Sequence, residues 1–549
     1  MAKINNLRRK KKLRKQIAAM LSGCMILGGG LLLPATTFAG PLDNPALFDK
    51  TIQFEGNTVI ASETLQKVLR SLYVTSKGKI SPGLIQDALY NAYKEAGYSL
   101  VTIKVPSNIN DGDILHIVVN EIKVNHITVT GNKLSNEKDI LAAVPALQEG
   151  KTPNIARMSS QMLLANDNPY RHITVDIRPL GNGLADAVVS VQETNSIHYA
   201  ISLDNTGNKF TGQTRVTTAI FDSNINGQGS MGSFNYTTSP DEHVDKVTQL
   251  GAFYQIPLPQ TGDNLYFTGS YFNTDSGQVV NMPVDSFGDN ITGNGSGKGS
   301  AFGVHYLHNL QRTVTERQTI DVGLDIRNFD TTNVEFFGPI PVADNGYNIS
   351  TMPLSLAYQN SSKSARDAVT FGVNYVHNIP AGGRNSTSTY DSYQYLAGTN
   401  ANYQVWRYNA GYQHQFDKGW LFNTVLAGQY TGEKLIDPER FSLGGVRSVR
   451  GLEEGEVSAD KGYRLSLEVY TPEIAPAQRL LAFVDGGRYW NVEPGPADTA
   501  HHVSSYGIGW RYADQHGFSL NADLAEVIQG TANTPDHHIK LCFSVTKII

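Results

Sequence analysis

Cysteine is nearly absent: the 549 residues hold only Cys24 and Cys542. Removal of the N-terminal segment described below leaves one thiol, which excludes an intrachain disulfide. Long apolar runs are missing as well. After Leu33 no stretch reaches the ~18 apolar residues of a transmembrane helix. That excludes helical spans and leaves spanning strands open. Catalytic constellations are also lacking. Gly293 to Ser300 (GNGSGKGS) fails as a phosphate loop, because Thr292 stands where the first glycine is needed and Gly299 follows Lys298 where Ser or Thr is needed. It reads as a glycine-rich external loop. No Gly-x-Ser-x-Gly elbow occurs. His501-His502 and His537-His538 have neither metal-ligand spacing nor companions, so they read as strand-end residues. No enzymatic activity, cofactor or metal is expected.

The first residues read as a secretory signal. A basic run (Lys3, Arg8 to Lys12, Arg14, Lys15) precedes an apolar run from Ile17 to Leu33, then Pro34 and the small-residue site Thr37-Phe38-Ala39. Residues 1–39 are expected to be cleaved after Ala39. Leu21-Ser22-Gly23-Cys24 resembles a lipoprotein box, but the apolar segment continues past Cys24. The chain has 45 Lys+Arg and 50 Asp+Glu; the signal holds eight of the basic residues and no acid, leaving 37 against 50, a net charge of −13. An acidic mature chain is ill suited to nucleic acid.

Residues 46–196 carry an imperfect α/β repeat. Phe54-Glu55-Gly56-Asn57 matches Val129-Thr130-Gly131-Asn132, each a strand ending in a Gly-Asn turn. Leu65, Val68, Leu69 and Leu72 line one helical face, and Ile140, Ala143, Val144 and Leu147 repeat it. Tyr98 to Val105 matches Tyr170 to Ile177, and Leu115 to Glu121 matches Ala187 to Glu193. Each copy thus predicts strand, helix, helix, strand, strand, over 46–121 and 122–196. Ser81-Pro82 marks a helix start. The pattern resembles the polypeptide-transport-associated (POTRA) domain.

From about His198 the helical period gives way to alternation. Tyr463, Leu465, Leu467 and Val469 alternate with Arg464, Ser466 and Glu468. Val322, Leu324 and Ile326 alternate with Gly323, Asp325 and Arg327, and Leu520, Ala522 and Leu524 with Asn521 and Asp523. Charge on one face and hydrocarbon on the other suits a wet lumen and a lipid exterior. About sixteen such segments start near 198, 213, 229, 245, 263, 297, 316, 347, 367, 403, 420, 461, 480, 501, 517 and 537. Links after even-numbered segments are tight, whereas 277–296, 332–346, 381–402 and 433–460 are long. Short periplasmic turns and long external loops are the habit of outer-membrane barrels. Residues 198–549 therefore predict a transmembrane antiparallel β-barrel with the front modules in the periplasm. Trp406, Tyr408, Trp490, Trp510 and Tyr512 fit interfacial girdles or the lumen equally.

The 433–460 loop contains Phe441-Ser442-Leu443-Gly444-Gly445 and Val449-Arg450-Gly451-Leu452; a later strand reads Phe483-Val484-Asp485-Gly486-Gly487. Alternation puts Phe483, Asp485 and Gly487 on one face, and the charge of Asp485 makes it the lumen face. Arg450 can then meet Asp485 and anchor an inward-folded loop. Here the chain resembles the two-partner secretion transporters, the haemolysin secretion/activation (TpsB-type) family, whose motifs are Val-Arg-Gly-aromatic and Phe-x-Asp-x-Gly. Leu203-Asp204-Asn205-Thr206-Gly207 followed by Thr211-Gly212 resembles that family's first barrel strand. Leu452 stands where the family has an aromatic. Only about ten residues separate Gly40 from the first strand, so no pore-spanning plug helix is expected, and Ile549 ends the chain where an aromatic is common.

The resemblance implies a monomeric outer-membrane translocator that exports a large partner protein bearing an N-terminal secretion domain. The alternative is an outer-membrane protein assembly factor of the same superfamily, although those relatives usually carry more POTRA modules. A passive porin needs no such receptor.

Overall fold

The computed structural model describes residues 51–549 except 77–79, 108, 110–113, 209–210, 242–246, 284–289, 332–333, 338–339, 345 and 494–500. The expected signal, residues 1–39, and Cys24 with its lipoprotein-like box lie outside the described residues.

Two small α/β units come first. β1 (Thr51–Glu55), α1 (Ser62–Thr75), α2 (Pro82–Glu95), β2 (Val101–Lys104) and β3 (Ile114–Glu121) make a sheet of order β1-β3-β2. β4 (Lys123–Thr130), α3 (Glu137–Ala142), α4 (Ile155–Ala165), β5 (Arg171–Gly181) and β6 (Leu184–Glu193) repeat it in the order β4-β6-β5. In both, the first strand runs parallel to the last and the middle one antiparallel. The paired Gly-Asn turns are equivalent in detail. Gly56 and Gly131 have φ of +83° and +85°, and a Cβ there would fall 2.3 and 2.2 Å from the carbonyl oxygens of Val119 and Val191. Only glycine fits such an approach. A carboxylate ending each last strand closes the same turn. Glu121 accepts the Thr58 and Val59 amides at 2.8 and 3.0 Å, and Glu193 those of Lys133, Leu134 and Ser135 at 2.5, 2.6 and 3.0 Å. The predicted face of the second copy is buried throughout, yet α3 stops at Ala142. Pro145 disfavours the α region at Val144 and so shortens the helix.

The rest is a closed antiparallel barrel of sixteen strands. They are β7 (Ile197–Asp204), β8 (Arg215–Asp222), β9 (Met231–Thr238), β10 (Val247–Leu258), β11 (Asp263–Pro283), β12 (Asn290–Arg312), β13 (Glu316–Thr331) and β14, which runs as two pieces, Tyr347–Thr351 and Pro353–Lys363. Then come β15 (Asp367–Asn378), β16 (Gln404–Gln415), β17 (Leu421–Tyr430), β18 (Lys461–Tyr470), β19 (Gln478–Trp490), β20 (His501–Ala513), β21 (Phe518–Gln529) and β22 (Ile539–Ile548). β22 pairs with β7 and closes the ring, so the wall has no free end strand. Alternation sets the faces as expected. Val322, Leu324, Ile326, Leu465, Leu467 and Val484 point outward and are exposed, while Asp325, Arg327, Asp485 and Asp523 are buried inside.

The glycine-rich segment 293–300 is not a loop. It lies within β12, which pairs with β11 beyond Thr274 across a register shift, Gly293 opposite Val280. Backbone pairing, which needs no side chain, carries this hairpin through residues that read as turn formers. The second α/β unit sits on the short-turn end of the barrel. Asn168 donates to the carbonyls of Ser223 and Gly229 at 2.6 and 2.9 Å, Arg312 to that of Leu163 at 3.1 Å, and Arg312 pairs with Asp167.

Candidate functional site

The loop between β17 and β18 turns into the lumen. A short ladder, Phe441–Leu443 with Val457–Ala459, makes it a hairpin. Its tip is anchored by Arg450. The Nε and Nη2 atoms of Arg450 donate to the two oxygens of Asp485 at 2.7 and 2.9 Å, a bidentate pair. The Arg450 amide adds a bond of 3.2 Å to the same carboxylate, and the Ser466 hydroxyl donates to it at 2.6 Å. Nη1 lies 2.9 Å from Glu468 and 3.7 Å from Asp523. The guanidinium also stacks on Phe483, 3.5 Å from the ring centroid. Arg450 is 4% exposed and Asp485 0%.

Each neighbour in the two motifs has a steric part. Phe483 occupies the space a side chain at Gly507 would need, and Gly487 leaves room for Leu443. Gly451 has φ +100°, and a Cβ there would come within 3.0 Å of Val527. Val449 and Leu452 are fully buried with Leu443, Val457, Val503 and Val527. Leucine thus fills its place in an apolar cluster between loop and wall.

The first-strand motif lies elsewhere, at the closing seam. Asp204 accepts the Thr206 amide at 3.0 Å. Gly207 lies close against Arg215. Asn205 acts as a piece of ladder: its side chain donates to the Leu541 carbonyl at 2.7 Å and accepts the Phe543 amide at 2.8 Å.

Two further anchors were not foreseen from the sequence. Glu439, at the loop's neck, binds Arg327 of β13 and Arg407 of β16, each at 2.7 Å. Past the tip, Glu453 pairs with Lys540 of β22 at 2.8 Å, and Glu456 accepts the hydroxyls of Thr534, at 2.7 Å, and Thr531. Polar faces on β13 and β16 are legible as lumen, but nothing in the sequence says which loop carboxylate they meet. Beside the docked loop remains a cavity of about 970 Å³ whose walls include Asp204, Arg215, His305, Arg464, Arg511 and Asp523. Charged and polar side chains recur along its walls among apolar ones, as a water-filled path requires.

The profile of the haemolysin secretion/activation protein family ShlB/FhaC/HecB matches residues 183–512. The chain belongs to this family. Among curated relatives it is similar to the heme/hemopexin transporter protein HuxB of Haemophilus influenzae, 21% identical over 369 residues, 65% of this chain and 61% of that protein. It thus spans about three fifths of the length of the Haemophilus relatives it matches. It is also 22% identical over 464 residues to the outer membrane transporter CdiB of Dickeya dadantii, covering 82% and 77% of the two chains. Its fold is that of CdiB from Escherichia coli (TM-score 0.70, 18% identity, 95% and 94% covered) and CdiB from Acinetobacter baumannii (TM-score 0.67, 16% identity, 100% and 98% covered). The barrel is an outer-membrane barrel, and the family's front modules lie in the periplasm.

Proposed function

We propose that the chain recognises a large secreted partner protein, of haemolysin or adhesin type, and exports it across the outer membrane by two-partner secretion. Residues 46–121 and 122–196 are the two receptor modules, and 198–549 the conduit. An open edge of a module sheet takes the partner's N-terminal secretion domain as an added strand, with backbone hydrogen bonds supplying affinity. The unfolded chain then crosses the lumen, and its folding outside prevents return. No nucleotide or catalytic step is involved, and a monomer suffices.

The observation that carries this reading is the Arg450–Asp485 pair. It holds a loop inside a polar lumen on bonds that water can replace, so the conduit is closed at rest and openable. A passive porin has no need of periplasmic modules seated on its turns.

The test is co-expression of the chain with a neighbouring gene's product where that product is a very large secreted protein, measuring partner in the medium. Deleting residues 46–196 should abolish export and leave ion conductance in planar bilayers. Undiminished export after that deletion would refute the receptor role. Loss of other outer-membrane proteins, with no exported partner, would instead mark an assembly factor.

A further inference from the structure

The inward loop is held at both ends, and the two ends differ in how they are tied to the wall. At the tip, Arg450 shares its charge with Asp485, Glu468 and Asp523. Asp523 borders the open cavity, so water can reach this anchor. At the neck, Glu439 is 0% exposed. Near it Tyr390, Tyr403, Val405, Leu435 and Ile436 are buried together, while its partners Arg327 and Arg407 border the same cavity. The neck is also tied to itself. The Gln429 side-chain amide donates to the carbonyls of Glu439 and Asp460, at 2.8 and 3.0 Å, joining the strands that enter and leave the loop. The Asp460 carboxylate accepts the Leu435 and Val492 amides, both at 2.9 Å. Across the neck, Glu439 joins Arg327 and Arg407, which stand on β13 and β16, with β14 and β15 between them in the wall.

Undocking the tip would hydrate its carboxylates. Undocking the neck would also break the ties made by Gln429 and Asp460 and leave the buried Arg327 with Asp325 as its remaining carboxylate. We propose that Glu439 is a positioning residue for transport: it fixes the neck of the loop and its short ladder as a pivot, so that the segment beyond the ladder, residues 444–456, swings while the neck stays in place. The inference rests on the export reading above and adds to it a division of the loop into a fixed and a moving part.

The test uses the full mature chain with Cys542→Ser as parent and a single reporter cysteine, Ser442→Cys in the neck ladder or Ser448→Cys near the tip. Labelling by a membrane-impermeant maleimide is timed on intact cells, and partner export is measured in the same strains. Arg450→Ala should speed labelling at position 448 at least tenfold and leave position 442 within about twofold of the parent. Glu439→Gln, nearly the same shape without the charge, should speed both and lower export several-fold. Glu439→Asp, which keeps the charge, should restore much of the slow labelling. Heat-modifiable gel mobility reports that each barrel has assembled. Unchanged labelling at position 442 in Glu439→Gln overturns the pivot. So does release of the neck by Arg450→Ala. Faster labelling with normal export in Glu439→Gln removes the residue from transport. If Arg450→Ala also exports normally, the role of the loop in export fails with it, which separates the two claims.

Discussion

Replacing Arg450 with alanine tests the loop most directly. The change removes the guanidinium from Asp485, Ser466, Glu468 and the face of Phe483. Asp485 stays 0% exposed and keeps the Ser466 hydroxyl and the residue-450 amide. Taking one partner from a buried pair costs ~3–5 kcal/mol. Cavity water lowers the cost for Asp523, which lines the void, but not for Asp485, which does not. The lost stacking, up to ~2 kcal/mol when desolvated, overlaps with the same event and is not added in full. Loop docking should therefore weaken by ~3–5 kcal/mol, or about 10²–10⁴ in the docked ratio. Amide hydrogen exchange in detergent reads this as faster exchange by that factor across residues 446–456, with β18 and β19 still protected. Asp485→Ala alone should act alike, and the double variant should cost little more than either single one. Arg450→Lys should recover part of the loss, because lysine keeps the charge without the planar fork. Exchange within about threefold of the parent, or costs that simply add in the double variant, would refute the reasoning.

Leu467 faces outward from the middle of β18 and is 38% exposed. Leu467→Arg should cost ~2–4 kcal/mol at mid-bilayer depth, seen as less heat-modifiable barrel and lower urea resistance; assembly equal to the parent would reverse the assigned face. Partial burial raises the pKa of Glu193, but the Ser135 hydroxyl and the amides of Leu134, Lys133 and Ser135 outweigh it and hold the carboxyl below its ordinary value. A depressed folded pKa gives stability that is present above the unfolded value, near 4.5, and is lost as pH falls through the folded one. Exchange protection at residues 133–135 should thus fall with acid below about pH 4.5, and Glu193→Gln should flatten that dependence. A profile of the same slope in the variant would remove Glu193 as its source.

The barrel was legible because a two-residue period is a direct imprint of a wall between water and lipid. Fifteen of the sixteen expected segment starts fall within two residues of a strand start. The exception is instructive: β12 begins at Asn290 rather than near 297, because Gly and Asn mark turns when isolated and tell nothing about a hairpin that already has a partner. The front repeat was legible for another reason. Gly56 and Gly131 answer to a steric demand that the fold imposes twice. Glu121 and Glu193 were visible as matched positions, but their role as turn clamps depends on a strand sixty or so residues away. Within the loop, Arg450 and Asp485 could be paired because both sit in motifs. Glu439 could not, since its partners Arg327 and Arg407 are two among several lumen arginines, and only closure of the ring decides which ones the loop reaches.

Closure itself is linked to the loop. Backbone pairing of β22 with β7 covers only five residues, Ser544 to Ile548, the shortest ladder of the barrel among the described residues. Above it, Asn205 lends its side chain to the ladder at Leu541 and Phe543. The same stretch of β22 is gripped from inside, Lys540 by Glu453 and the Leu452 carbonyl. A strand half paired on one side gains most from a brace on its inner face, since each unmade backbone bond at membrane depth is costly. The docked tip therefore does two jobs with one set of contacts: it narrows the lumen, and it stiffens the junction where the ring was last closed. Placing the tip anchor over that junction and the neck anchor on the opposite side lets the tip move without unfastening the wall that holds the neck.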